Sequence, residues 1–482
     1  MALFSRKAIS AKFVCATLLL ISFFQVNTAA ASMADAVNRF ATSAAMRKAN
    51  IGICVMDIST GQVVAAKDLD KKIVPASVMK IITSASALKS LSPQYRFRTM
   101  VSHDGYIDYR GVLNGNLIID GGIDPTLESR YFPQHQSFLA ECVKQLQRRG
   151  VKRITGRIIV NEHACPDAPV PNGWMDSDIA YFYGAGVHAL NYSDNLCSLV
   201  IDVDGPYARV IDTIPYQRSL KISNRIRLGK GKGYRYKPSV YRKKNTNTLH
   251  LGGRVARGAR NVEVRTTMPN PAEALIYDLE ATLKGNGIAV GGRAMSGKRF
   301  TTTLFNYYSP TLDEVVKSLL TRSDNTYAEA VLRIMALRGD TAATRKYAID
   351  RERRILASWG VNLGGQKIYD GSGLSRDNRI SARFLADVLR IAARDPQIGA
   401  EFPSLFPVAG RDGTVKSLLR GTSLSGRIAL KSGSMTGVQC YAGYYPAKAP
   451  RYAVVMMVNR YRCNAGQLRR SIEQLFTGLF AN

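Results

Sequence analysis

Strand-like segments stand at both ends of this chain, with helices and a long β-rich stretch between them. Residues 51–66 read as two short strands around a Ser59-Thr60-Gly61 turn, and residues 427–461 read as three more. Two or three strands alone cannot bury a hydrophobic face. One domain built from both ends of the chain fits best, which makes the intervening residues either its cover or an insertion. Helical composition over 76–91, 311–338 (broken at 322–326), 382–394 and 467–480 supplies the cover. Between them, 98–120 alternates around Asp104-Gly105 and Asn114-Gly115, 154–160 and 197–203 are strand-like, and helices are expected at 136–149 and 271–284. The pattern predicts an α/β domain built from both termini and interrupted by a β-rich insertion. A length of 482 residues suits two or three domains.

The first residues are a separate matter. Arg6, Lys7 and Lys12 precede an apolar run over 13–26 and then Ala29-Ala30-Ala31. The run is shorter than the roughly 20 residues a spanning helix needs. Basic start, short apolar centre and small-residue exit predict a secretory signal peptide over 1–31, an exported protein of the periplasm or cell envelope, and no transmembrane anchor. The C-terminal apolar stripe of Leu468, Ile472, Leu475, Phe476 and Leu479 lacks a long basic polar face and is read as core, not a membrane-surface helix.

Beyond the leader, Cys54, Cys142, Cys165, Cys197, Cys440 and Cys463 form an even set that export permits to pair, without spacings that say how. No Cys-x-x-Cys or His-Glu-x-x-His pattern occurs and the five histidines are scattered, so neither a metal site nor a cofactor is expected.

Charge is uneven. The chain carries a formal net charge of +31, and residues 218–265 hold fifteen Lys and Arg against Glu263 alone, with Tyr234, Tyr236 and Tyr241 interleaved. For an exported chain such a stretch points to anionic envelope polymers (lipopolysaccharide, teichoic acid or peptidoglycan carboxylates) rather than to nucleic acid. A merely solvated basic face is the competing reading.

A hydrolase without a metal or a catalytic histidine needs a nucleophile and another base, and lysine serves when desolvation and nearby cations keep it neutral. Ser77-Val78-Met79-Lys80 places such a pair one helical turn apart. Ser86-Ala87-Leu88-Lys89 has the same pattern, but only the first helical turn keeps unbonded N–H groups to stabilise an oxyanion. Ser77 follows Pro75-Ala76 at the helix start, whereas Ser86 lies inside and on the opposite side, so Ser77 is the candidate nucleophile. Ser323-Asp324-Asn325 interrupts two helical runs, where Ser323 could relay a proton and Asn325 could hold a substrate peptide. Its copy at Ser193-Asp194-Asn195 reads as a turn before a strand. Lys431-Ser432-Gly433 closes an alternating run. A strand edge there could pair with an extended peptide, Gly433 permits close backbone approach, and Lys431 offers a cation for a terminal carboxylate.

Taken in this order the three motifs form the signature of penicillin-binding proteins and class A β-lactamases. The chain resembles the class C low-molecular-weight penicillin-binding proteins, the D-alanyl-D-alanine carboxypeptidase/endopeptidase family. The long stretch between Ser77 and Ser323 matches that family's insertion, which class A β-lactamases lack. Gly121-Gly122-Ile123-Asp124-Pro125, Tyr183-Gly184-Ala185, Asp370 to Ser375 and Gly410 to Thr414 resemble its recurring segments. Ser432 departs from it, since many relatives carry Thr there.

The resemblance implies an α/β (α+β) serine transpeptidase/β-lactamase-like domain over 32–96 and 304–482. It also implies two nested β-rich inserted domains, over 97–194 plus 266–303 and over 195–265. It further implies that Ser77 attacks the bond between two D-alanines in peptidoglycan peptides, with Lys80 as base and Ser323 as proton relay. Asn325, Lys431 and Ser432 would bind substrate, and the N–H groups of Ser77 and Ser434 would form the oxyanion hole beside Gly433. Lys431 is expected to help hold Lys80 neutral, and β-lactam antibiotics would act as inhibitors. Carboxypeptidase and endopeptidase action share this acyl-donor chemistry, so the motifs fit both. A catalytically degenerate polyanion-binding protein and a β-lactamase are the competing functions. Asp370 to Ser375 reads equally as active-site wall or structural turn.

Overall fold

The computed structural model describes residues 32–231, 236–260, 262–292, 301–337 and 342–480. The leader read over 1–31, and Lys232, Tyr234 and Arg235 of the basic stretch, lie outside the described residues. The described residues divide into two compact units, one within Met1–Val78, Val361–Gln366 and Arg379–Asn482, the other within Met79–Gly360 and Lys367–Asn378.

The first unit is the sheet that the two ends of the chain build together. Its five strands run in the order Ala429–Met435, Val438–Tyr445, Tyr452–Asn459, Asn50–Asp57, Val63–Lys67, antiparallel throughout. Asn50–Asp57 pairs along its whole length with Tyr452–Asn459, from Asn50 opposite Asn459 to Asp57 opposite Tyr452. Both central strands are buried on both faces, which is why their sequences are nearly continuous apolar runs instead of alternating ones. On one face Ile51, Ile53, Val55, Val454 and Met456 pack with Val37, Phe40, Leu468, Ile472, Leu475 and Phe476, so the C-terminal stripe is core. The helix Ala382–Arg394 lies on the other face, capped by Ser381, whose side chain accepts from the Phe384 N–H. Ala429–Met435 ends the sheet; a single bridge from Val408 to Ala429 covers its beginning, and among the described residues no strand pairs with the remainder of that edge.

In the second unit the helix Met79–Leu91 packs with Leu312–Arg322, Asn325–Ile334 and Arg345–Ser358. A mixed sheet of Thr302–Thr311, Arg96–His103, Leu117–Asp120 and Ile158–Asn161 and the helices Phe138–Arg148 and Pro271–Gly285 share a second core with the basic stretch. Within 196–267 lie two further open sheets whose strands all come from this stretch. One is Arg209–Ile214, Leu196–Asp202 and Val262–Thr267; the other joins Lys221–Asn224, Arg227–Gly229 and Lys237–Tyr241 to the long strand Thr248–Ala256. The six cysteines among the described residues are free thiols, and burial pushes those of Cys54 and Cys440 up to about 12.

Candidate active site

In the first unit, Ala76–Val78 forms a 3-10 turn that runs directly into the α-helix beginning at Met79. Ala76 takes a left-handed backbone (φ 50°), which turns the chain sharply from Pro75 into the helix and leaves Ser77 half-buried in its first turn. Amides in such a first turn have no intrahelical acceptor. The edge strand Ala429–Met435 packs on this turn at Gly433. A Cβ on Gly433 would come within 2.8 Å of the Pro75 carbonyl oxygen and 2.9 Å of the Ser77 nitrogen. Glycine is therefore a steric requirement at this position, and the backbone it admits has Ser77 as its neighbour.

On the same strand Lys431 is fully buried and its Nζ donates to the Ser432 carbonyl at 2.7 Å, while Ser432 is half-buried and Ser434 exposed. The Ser432 hydroxyl is 2.6 Å from Thr414 Oγ1, in the segment Gly410 to Thr414. A buried ammonium under a strand whose hydroxyls reach the surface can attract an anion by its field while the hydroxyls make the contact.

In the second unit, Lys80 sits in the first turn of Met79–Leu91 and is fully buried. Its Nζ donates to Asn325 Oδ1 at 2.6 Å and to the Ser372 carbonyl at 2.7 Å. The Asn325 amide is fixed from its other end, because Nδ2 donates to the Tyr183 carbonyl at 2.7 Å. Burial pushes the Lys80 ammonium down from 10.5 to about 8, against the opposing pull of Asp370, Asp324 and Glu329. Burial is the largest cause of the depression: packed among helices, the amine has lost its hydration, and this outweighs the upward pull of the three carboxylates.

Ser323 ends the helix Leu312–Arg322 in a left-handed conformation (φ 62°), its N–H donating to the Leu319 carbonyl at 2.8 Å. Glycine ordinarily fills that C-terminal position, and a serine there bears strain of order 1 kcal/mol. Asp324 caps the next helix, Asn325–Ile334, by accepting from the Tyr327 N–H at 3.0 Å. The tripeptide thus stops one helix and starts the next, which sets Asn325 in a first turn directed at Lys80. Its rival, Ser193–Asn195, is a turn with three left-handed residues ahead of the strand Leu196–Asp202, and the Asn195 amide is spent on Tyr192, Gly186 and Asn191. Ser86 is buried within its helix, and its hydroxyl has no hydrogen-bond partner among the described residues.

The segment Asp370 to Ser375 is both turn and wall. Asp370, fully buried, accepts from Gly373 N, Ser375 N, Asn378 Nδ2 and Trp174 Nε1 at 2.6 to 2.9 Å. Glu329 Oε1 accepts from Gly371 N and Ser372 N at 3.0 and 2.9 Å. Two buried carboxylates hold one loop so that the Ser372 carbonyl meets Lys80. Sequence reasoning missed Glu329, Trp174 and the two carbonyls. Glu329 alone left a trace, as an acid on the apolar side of a helix.

The profile of the D-Ala-D-Ala carboxypeptidase 3 (S13) family matches residues 33–477. A D-alanyl-D-alanine carboxypeptidase of Actinomadura sp. (strain R39) is 27% identical over 86% of this chain and 78% of its own length. The D-alanyl-D-alanine carboxypeptidase DacB of Haemophilus influenzae is 24% identical over 86% of each chain. The crystal structure of penicillin binding protein 4 (dacB) from Haemophilus influenzae superposes with a TM-score of 0.74 at 23% identity, covering 90% of this chain and 96% of the other. That likeness shows that the two chains share a fold.

Proposed function

The chain belongs to the D-Ala-D-Ala carboxypeptidase 3 (S13) family, and we propose that it cleaves D-alanyl-D-alanine bonds of peptidoglycan stem peptides through an acyl-serine intermediate. Ser77 Oγ attacks the carbonyl carbon between the two D-alanines while neutral Lys80 takes its proton. The developing oxyanion is held by the N–H groups of Ser77 and Ser434. Ser323 passes a proton to the leaving amine. Asn325 keeps Lys80 in place through Oδ1, and the second hydrogen of its Nδ2 serves a substrate peptide carbonyl. The Lys431 charge draws the terminal carboxylate, which Ser432 and Thr414 contact, and Gly433 admits the substrate backbone. Water then attacks the acyl-serine and releases the shortened peptide. A β-lactam stops the cycle at the acyl stage.

The observation that carries this reading is the buried Lys80, depressed to about 8 and held on Asn325 and the Ser372 carbonyl three residues after Ser77. Burying a lysine in its charged form is expensive, and the cost is justified where a neutral amine is the working form. Two organisational readings belong to the same proposal. The nested arrangement of 32–96 with 304–482, 97–194 with 266–303, and 195–265 is supported by the two sheets whose strands all lie within 196–267. Export, with action in the periplasm or cell envelope, is supported by the leader composition over 1–31; no helix among the described residues is long and apolar enough to cross a membrane.

The test is acylation by a labelled penicillin, localised by intact and peptide mass, on the mature protein and its Ser77→Ala and Ser86→Ala variants. A stable adduct lost only in Ser77→Ala is expected. A folded parent protein that takes no label would sink the acyl-serine assignment, and rapid release of hydrolysed antibiotic would favour a β-lactamase.

A further inference from the structure

The basic stretch has a geometry that its composition alone does not give. Lys221–Asn224 and Arg227–Gly229 run parallel along one edge of the strand Thr248–Ala256, and Lys237–Tyr241 runs antiparallel along the other. Arg254 lies opposite Arg227 on one side and opposite Lys237 on the other, so three cations stand side by side across three strands. All three are exposed, and Lys221 is exposed at the sheet's far end, opposite Thr248. Directly opposed like charges weaken a sheet. No Asp or Glu occurs between Arg218 and Asn261. The opposite face is apolar: Leu249, Leu251 and Val255 alternate with the exposed positions and are buried in the core. The sheet is therefore anchored beneath and charged above.

A second row of the same face is aromatic. His250 is paired with Tyr241, with ring centroids 6.0 Å apart, and both are exposed. Between the aromatic row and the cation row lies Gly252 opposite Ser239, where a Cβ would already meet the Ser239 hydroxyl at 3.0 Å. The face thus offers cations at one end, ring faces at the other and a low floor between them. Among the described residues it carries no large aliphatic side chain that could enter an acyl layer, which separates it from a membrane-inserting surface.

We propose that this face is a docking surface for the carboxylate-bearing glycan polymer itself, engaging sugar rings on Tyr241 and His250 and stem-peptide carboxylates on Arg227, Arg254, Lys237 and Lys221. The inference rests on the reading of the chain as a peptidoglycan peptidase, and adds a second attachment to the polymer through residues that take no part in the chemistry. Such an attachment raises the effective concentration of stem peptides without changing the turnover of a short soluble one.

The test uses the full mature chain carrying Ser77→Ala, so that digestion does not release the protein, and purified sacculi freed of covalently attached phosphate polymers. Co-sedimentation is measured for this protein and for a derivative also carrying Lys221→Gln, Arg227→Gln, Lys237→Gln and Arg254→Gln. The parent is expected to pellet with sacculi and to be released toward about 1 M salt, where the Debye length falls to about 3 Å. The four substitutions should weaken binding by roughly tenfold or more, at a few-fold per surface charge. Amidation of the sacculus carboxylates should have the same effect. Penicillin acylation of the four-substitution protein with Ser77 intact should be unaltered, which excludes misfolding. Equal retention of parent and variant, or binding to phosphatidylglycerol vesicles without binding to sacculi, would overturn the proposal. Failure of the chain with Ser77 intact to acylate would instead overturn the catalytic reading, a result independent of the sedimentation arm.

Discussion

Replacing Asn325 with Asp tests the proton chemistry at its narrowest point. Asn325 Oδ1 lies 2.6 Å from Lys80 Nζ, so the substitution sets a carboxylate against a fully buried amine with almost no change of shape. With Lys80 at about 8, about a quarter of the protein carries the neutral amine at pH 7.5, against roughly one part in a thousand for an ordinary lysine. An opposite charge at this range raises a pKa by about 1 to 3 units. The rise in acylation rate with pH should therefore move from near 8 to between about 9 and 11. At pH 7.5 the rate should fall by about tenfold to several hundredfold, and high pH should restore most of it. The assay is stopped-flow acylation by a fluorescent penicillin from pH 6 to 10.5, with near-ultraviolet circular dichroism confirming the fold across the range. The new carboxylate also faces the Tyr183 carbonyl that Nδ2 now serves, a repulsion that lowers the rate without moving the midpoint. A midpoint that stays near 8 while the rate drops uniformly would refute Lys80 as the base.

Three further outcomes follow from the packing. Gly433→Ala sets a methyl against backbone atoms of Pro75, Ser77 and Val78; acylation should fall by about a hundredfold or more, with a stability loss of about 1–3 kcal/mol read by denaturant titration. Asp370→Asn turns an acceptor of four hydrogen bonds into a partial donor, and should cost about 2–4 kcal/mol of stability and slow acylation by releasing the Ser372 carbonyl from Lys80. Glu352 is buried, and burial raises its carboxyl from 4.5 to about 8. The folded state then holds the proton more tightly than the unfolded one, so this group's contribution is full below about 4.5 and is lost as pH rises through about 8. Glu352→Gln should flatten that part of the stability curve and raise the thermal midpoint at pH 9 relative to the parent, whereas equal slopes in the two proteins would exclude Glu352 as the titrating group.

What the sequence made legible was local. Ser77 and Lys80 are one turn apart by spacing, and Pro75-Ala76 marks the helix start that separates them from Ser86 and Lys89. Ser323 to Asn325 is readable as a helix break because the apolar period on each side stops there, and the C-terminal stripe is readable as core because Leu468 to Leu479 keep one face. That both ends of the chain build one domain is readable because strand-like segments flank the helices on either side. The full burial of Lys80 was not legible, because it is a property of packing among four helices and no residue spells it. Nor were Trp174 and Asp370, partners far apart in the chain whose bond depends on how the loop folds back.

Lys80 and the Asn325 amide that holds it are each fixed from outside by a main-chain oxygen, of Ser372 and of Tyr183. A peptide oxygen is present whatever side chain its residue bears, so its contribution outlasts any replacement that leaves the local backbone path unchanged. Half of this inner scaffold is thus recorded as shape instead of spelling. Lineages that differ at three positions in four, as this chain and its Actinomadura relative do, can keep the arrangement while their letters at 183 and 372 drift. For a chemist seeking resistance substitutions, these anchors are out of direct reach: a mutation can displace them only by breaking the loop that carries them.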